Sequence, residues 1–160
     1  MAAPSITVVN ASSNTTQTNW SCGVVKANNS SAVLTIQIWN NRGGSTALAD
    51  LRDASITALD IDGGNSSDPV ANKWLHVNVP QMDGTSSWTA IGGTTTKFIR
   101  GDSVSSTEGN IIKGTVNDGN AGTTASKANY TTVNLRVDVP VNATPNTYNF
   151  KTRINGYYVG

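Results

Sequence analysis

Few side chains in this sequence could do chemistry. His76 is the only histidine, Cys22 the only cysteine and Glu108 the only glutamate among 160 residues. A nucleophile needs a base beside it, and no G-x-S-x-G elbow surrounds any serine. His76 lies in KWLHVNVP (73–80), where Leu75, Val77 and Val79 occupy alternate positions. Its parity places it on the polar face of a strand, as a solvated histidine. One histidine and one cysteine far apart in the chain do not build a zinc site, and Cys22 reads as a small, half-buried apolar side chain. GGNSSDP (63–69) and IGGTTTK (91–97) are glycine-rich but lack the lysine and hydroxyl spacing of a P-loop. The expectation is therefore a protein with no catalytic residue and no cofactor.

The densest group of carboxylates is DIDGGNSSD (60–68), with Asp60, Asp62 and Asp68. Carboxylate and amide oxygens in a glycine-rich loop suit Ca²⁺. The twelfth position from Asp60 is Ala71, however, not the bidentate glutamate of an EF-hand loop. The plainer reading is a solvated hairpin loop, and no metal is expected. Arg100-Gly101-Asp102-Ser103 matches the integrin-type tripeptide, a three-residue match that a turn between strands explains equally well. Sequons such as those at Asn10, Asn14, Asn29 and Asn142 are expected by chance in so Asn- and Thr-rich a chain.

The elements that would position these groups are strands. Charged residues make up 13% of the chain, against a usual share of roughly 25%. The surface must then come from Asn, Ser, Thr and Gly, which favour strands and turns over helices. A net charge of +1 gives no nucleic-acid footprint. No apolar run approaches the roughly 20 residues of a membrane span, and MAAPSITVVNASS has no basic region followed by an apolar stretch.

Alternating segments between turn signals predict strands at 5–9, 19–27, 32–40, 54–62, 73–80, 87–93, 97–101, 109–117, 130–140 and 146–160, with no helix. Pro80 and Pro140 end alternating runs, where a missing N–H does least harm. The fold class predicted is an all-β antiparallel sandwich, Ig-like or jelly-roll-like, of about nine or ten strands. It forms one domain over 1–160, with a long Gly/Ser/Thr-rich loop or hairpin region at about 82–130. LRVDVPVNATPNTYNFKTRI (135–154) reads as strand, turn and strand, a closing hairpin.

Parity also nominates interface residues. Trp39 and Trp74 fall at outward positions of well-patterned strands, whereas Trp20 and Trp88 read as ordinary core. An outward Trp suits a subunit interface, a carbohydrate platform, or cover by a loop; interfaces are enriched in Trp, which favours the first. Arg136, Lys151 and Arg153, with Asp138, put an unusual share of the chain's charge on the outer face of the final hairpin.

IWNNRGG (38–44), NKWLHVNV (72–79), IGGTTTKFIRG (91–101) and VNLRVDVPVNATPNTYNFKTRINGYYV (133–159) together resemble small β-sandwich virion proteins of tailed phages and prophages. The last segment also resembles bacterial Ig-like modules. The resemblance implies a non-enzymatic capsid decoration, or cementing, protein. Such a protein binds the major capsid protein on the outside of the head, as a homo-oligomer and most often a trimer. It is made in the host cytoplasm and has no nucleic-acid or membrane partner. The alternative is a carbohydrate- or receptor-binding module of a head fibre, tail tip or adhesin.

Overall fold

The computed structural model describes residues 1–160. Two antiparallel sheets pack face to face, so the chain is an all-β sandwich. Nine strands form: β1 (Ile6–Asn10), β2 (Asn29–Ser30), β3 (Leu34–Asn40), β4 (Arg52–Asp60), β5 (Leu75–Asn78), β6 (Thr89–Ile91), β7 (Lys97–Phe98), β8 (Tyr130–Val139) and β9 (Phe150–Tyr157). The larger sheet has the order β1-β3-β8-β5-β6, with β2 pairing the far end of β8. The smaller sheet is β7-β4-β9.

The alternation read from the sequence decides what each strand buries. Ile36 and Ile38 of β3, Val133, Leu135 and Val137 of β8, and Leu75 and Val77 of β5 face the small sheet. There they meet Ala54, Ile56 and Ala58 of β4. Each large aliphatic fully buried this way contributes roughly 1.5–3 kcal/mol. The helix content is two single α-turns, α1 (Asp68–Ala71) and α2 (Pro80–Asp83), and two 3-10 turns at Ser106–Glu108 and Thr124–Ser126. Each α-turn has a proline in its first turn, where the missing N–H costs no helical bond.

Two predicted strands do not form. Residues 19–27 and 109–117 carry apolar alternation but enter no ladder, apart from the single bridge Leu51↔Ile112. The first of these sends Trp20 and Cys22 against the core and leaves Val24 99% exposed. Apolar periodicity shows here that a segment touches the core, not that a neighbour exists to bond its backbone.

The predicted closing hairpin also does not form. β8 pairs with β3 and β5 in the large sheet, whereas β9 pairs with β4 in the small one. The residues between, 140–149, cross from one sheet to the other. The face assignments within each strand hold: Phe150 and Ile154 pack on the core, and Lys151 and Arg153 are exposed.

A second, smaller cluster lies on the outer face of the large sheet. Val9, Trp39 and Tyr130 are buried there, with Ala121 packed against them. The loop after Asn117 covers these side chains, and the Tyr130 hydroxyl donates to the Ala121 carbonyl at 2.8 Å.

Candidate functional site

The polar groups that β5 and β8 bring together form the main side-chain constellation. The two strands pair antiparallel with His76 opposite Arg136, and Asp138 lies two residues further on the same face. The Arg136 guanidinium stacks over the Trp88 ring, 4.3 Å from its centroid. Its Nη2 donates to Asp138 Oδ2 at 3.0 Å, and its Nε lies 2.9 Å from Asp138 Oδ1. His76 Nδ1 is 3.3 Å from Asp138 Oδ2 and 3.1 Å from the Trp74 carbonyl. Both neighbours are acceptors, so Nδ1 carries the hydrogen and cannot itself accept a proton. Burial opposes ionisation of Asp138. The Ser30 hydroxyl, Arg136 and His76 outweigh it and hold the carboxyl below the ordinary aspartate value. The group is a fixed polar stack that locks β5 to β8 and seats Trp88.

Beside it opens a cleft of about 740 Å³, between β2, α1 and the start of the 140–149 crossover. Four asparagines, Asn28, Asn29, Asn72 and Asn142, share its lining with Asp68, Asp138, Lys73, His76 and Trp74. Lys73 adopts a left-handed backbone (φ 54°), a conformation that a lysine takes only where its surroundings impose it.

Both tryptophans read as outward are buried. Trp39 is fully buried and Trp74 is 5% exposed. Trp39 does point away from the main core, as its parity requires, but the loop after Asn117 closes over it. There it lies 4.5 Å from the Tyr130 ring, with Arg42 above its face. Trp74 precedes β5 and turns into the main core, edge-on to Tyr148 at 5.0 Å. Trp20 and Trp88, read as core, are only half-buried. Neither Trp39 nor Trp74 can serve as a stacking platform or an interface anchor in this conformation.

Arg136, Lys151 and Arg153 do not share a surface. Arg136 lies on the outer face of the large sheet, and the other two lie on the outer face of the small sheet, on the opposite side of the sandwich. Lys151 Nζ donates to the Ile61 carbonyl at 2.8 Å.

The candidate Ca²⁺ ligands do not converge. Asp60 accepts the Ser66 N–H at 2.8 Å together with the Ser67 hydroxyl, which lowers its pKa. Asp62 accepts the Gly64 N–H, and Asp68 takes the Tyr148 hydroxyl at 3.2 Å. The integrin-type tripeptide is folded inward. Gly101 is buried, with the Ala128 carbonyl 2.3 Å from where a Cβ would stand. Asp102 accepts both the backbone N–H and the hydroxyl of Thr132 at 2.9 Å.

One feature escaped sequence reasoning: four asparagines buried at one end of the sandwich. Asn40, Asn41, Asn117 and Asn129 are all buried. The Asn41 amide donates to the carbonyls of Thr46 (2.8 Å), Gly114 (2.9 Å) and Thr115 (3.1 Å). Asn40 reaches Ala49 and Ile112, Asn117 reaches the Asn41 carbonyl at 2.7 Å, and Asn129 reaches Lys113 and Thr115. These amides stand in for the ladder that residues 109–117 do not form. In sequence they were indistinguishable from the surface asparagines that fill the turns. No family model, no curated protein and no solved structure matches this chain.

Proposed function

We propose that this chain is a non-enzymatic structural protein of a phage particle, decorating the outside of the head and bridging neighbouring major capsid proteins. The observation that carries the reading is the buried amide network. It fixes the 41–49 and 112–119 loops at one end of a helix-poor sandwich. Loops held in this way lose little conformational entropy on docking. Repeated copies, each with modest affinity, then add up over a shell. The motif resemblance in 38–44, 72–79, 91–101 and 133–159 supports the same reading. The site of action is the virion exterior, reached after assembly in the host cytoplasm. The test compares expanded heads with and without the protein for rupture on heating or at low salt. Decorated heads rupture at higher temperature; equal rupture points sink the cementing role.

The amide-lined cleft favours a second reading, recognition of a neutral glycan, since Asn side chains offer a donor and an acceptor to each sugar hydroxyl. On that reading the site is the cleft, with Asn28, Asn72 and Asn142 beside Trp74, Asp68 and Asp138. A glycan array probed with the native protein and with Asn72→Ala separates the two readings: saturable binding that the substitution abolishes belongs to the second.

A further inference from the structure

The small sheet ends in an open strand. In β4, the carbonyls of Ala54 and Ala58 accept from Ile99 N (2.9 Å) and Gly93 N (2.8 Å), on the side of β7. Antiparallel alternation turns Ser55, Thr57 and Leu59 the other way, toward Asn155, Arg153 and Lys151 of β9. The N–H and C=O groups of Phe150, Thr152, Ile154 and Gly156 therefore face away from β4, where no strand follows. Outside the strand ladders, none of them bonds to another backbone group.

The two ends of this edge differ. At its start lies a groove of about 880 Å³, lined mainly by apolar side chains, among them Trp20, Cys22, Leu135, Val137, Tyr148 and Phe150. The segments forming its walls, 18–27 and 144–149, donate no N–H to any backbone carbonyl. At the other end, Tyr157, Tyr158 and Val159 stand 52%, 49% and 68% exposed. Continuing the alternation of β9 puts Tyr158 on the core side with Phe150 and Ile154.

We propose that β9 is a self-association edge, pairing antiparallel with β9 of a second copy about a two-fold axis at Ile154. Such an interface uses the same patch twice. It sets Tyr158 of each copy opposite Phe150 of the other, at the mouth of its groove, so the exposed apolar end fills the open apolar end. Charge selects this register. Centring on Thr152 sets Lys151 against Arg153, and centring on Arg153 sets that residue against itself; like charges directly opposite are unfavourable. Centring on Ile154 sets Lys151 against Tyr157 and Arg153 against Asn155. The two small sheets then run on as one. The inference is independent of the capsid reading.

The test is sedimentation of the full chain across concentration, with two variants. Thr152→Pro removes an N–H that the internal ladder does not use, so the monomer keeps its circular dichroism spectrum and melting behaviour while the dimer is lost. Tyr158→Asp, outside the strand, loses the dimer too, and it carries the test if the proline disturbs folding. A native chain that is monomeric up to its solubility limit overturns the proposal. So does a folded Thr152→Pro, or a Tyr158→Asp, that associates like the native protein.

Discussion

Asp102 shows how a residue's environment overrides the motif it belongs to. Three letters of sequence suggested a receptor-binding loop, yet the side chain points inward and bonds Thr132. Burial raises its pKa above the ordinary 3.8, and the two hydrogen bonds from Thr132 and the charge of Lys127 only partly offset this. Because the folded value lies above the unfolded one, the folded chain binds the proton more tightly. Its contribution to stability is full below the unfolded value and is lost as pH rises through the folded value. Denaturant unfolding at a series of pH values should show native stability falling over that interval, with the slope reduced in Asp102→Asn. An unchanged slope would remove Asp102 as its source. Trp39 teaches the same lesson. Its parity was read correctly, but parity names a side of the sheet and says nothing of the loop that covers it.

Among the elements, the loop-rich end of the sandwich depends on side-chain amides more than on ladders. Asn41 donates to three carbonyls from two loops; the Gly114 carbonyl also accepts from the Leu48 N–H and the Thr115 carbonyl from Asn117 and Asn129, so replacing Asn41 removes its bonds without stripping those acceptors. Losing a hydrogen bond whose acceptor keeps another donor or water costs about 0.5–1.5 kcal/mol. Asn41→Ala should lower unfolding stability by about that amount in chemical denaturation, whereas the exposed Asn146→Ala should change it little. Gly114 belongs to the same arrangement: a Cβ there would stand 2.3 Å from the Leu48 carbonyl. The IWNNRGG motif is thus a strand end, two buried amides and a turn. Its asparagines could not be told from turn residues in the sequence because Asn serves both roles with the same side chain.

Across the whole molecule, hydrogen bonding is unevenly spread. β3, β8 and β5 form a continuous ladder at the centre of the large sheet, whereas no N–H of 18–27 or 144–149 reaches a backbone carbonyl. Local opening free energy follows such differences. Hydrogen exchange should therefore be fastest in those two segments and slowest in β8. Self-association through β9 would slow exchange at Phe150, Thr152 and Ile154 as concentration rises, which gives the proposed edge a second readout.

The sequence by itself determined the fold class, most of the strands and the face each strand buries. Those follow from composition and a two-residue period, both local properties of the chain. Only the tertiary structure decided which strands pair. β9 left β8 for β4, and 19–27 became a wall instead of a strand, because backbone bonding depends on neighbours brought from far along the chain. It also decided which outward faces stay wet. Trp39 is buried because the distant loop after Asn117 folds back over the large sheet, and Asp102 is half-buried because its own turn, 99–104, docks against Thr132.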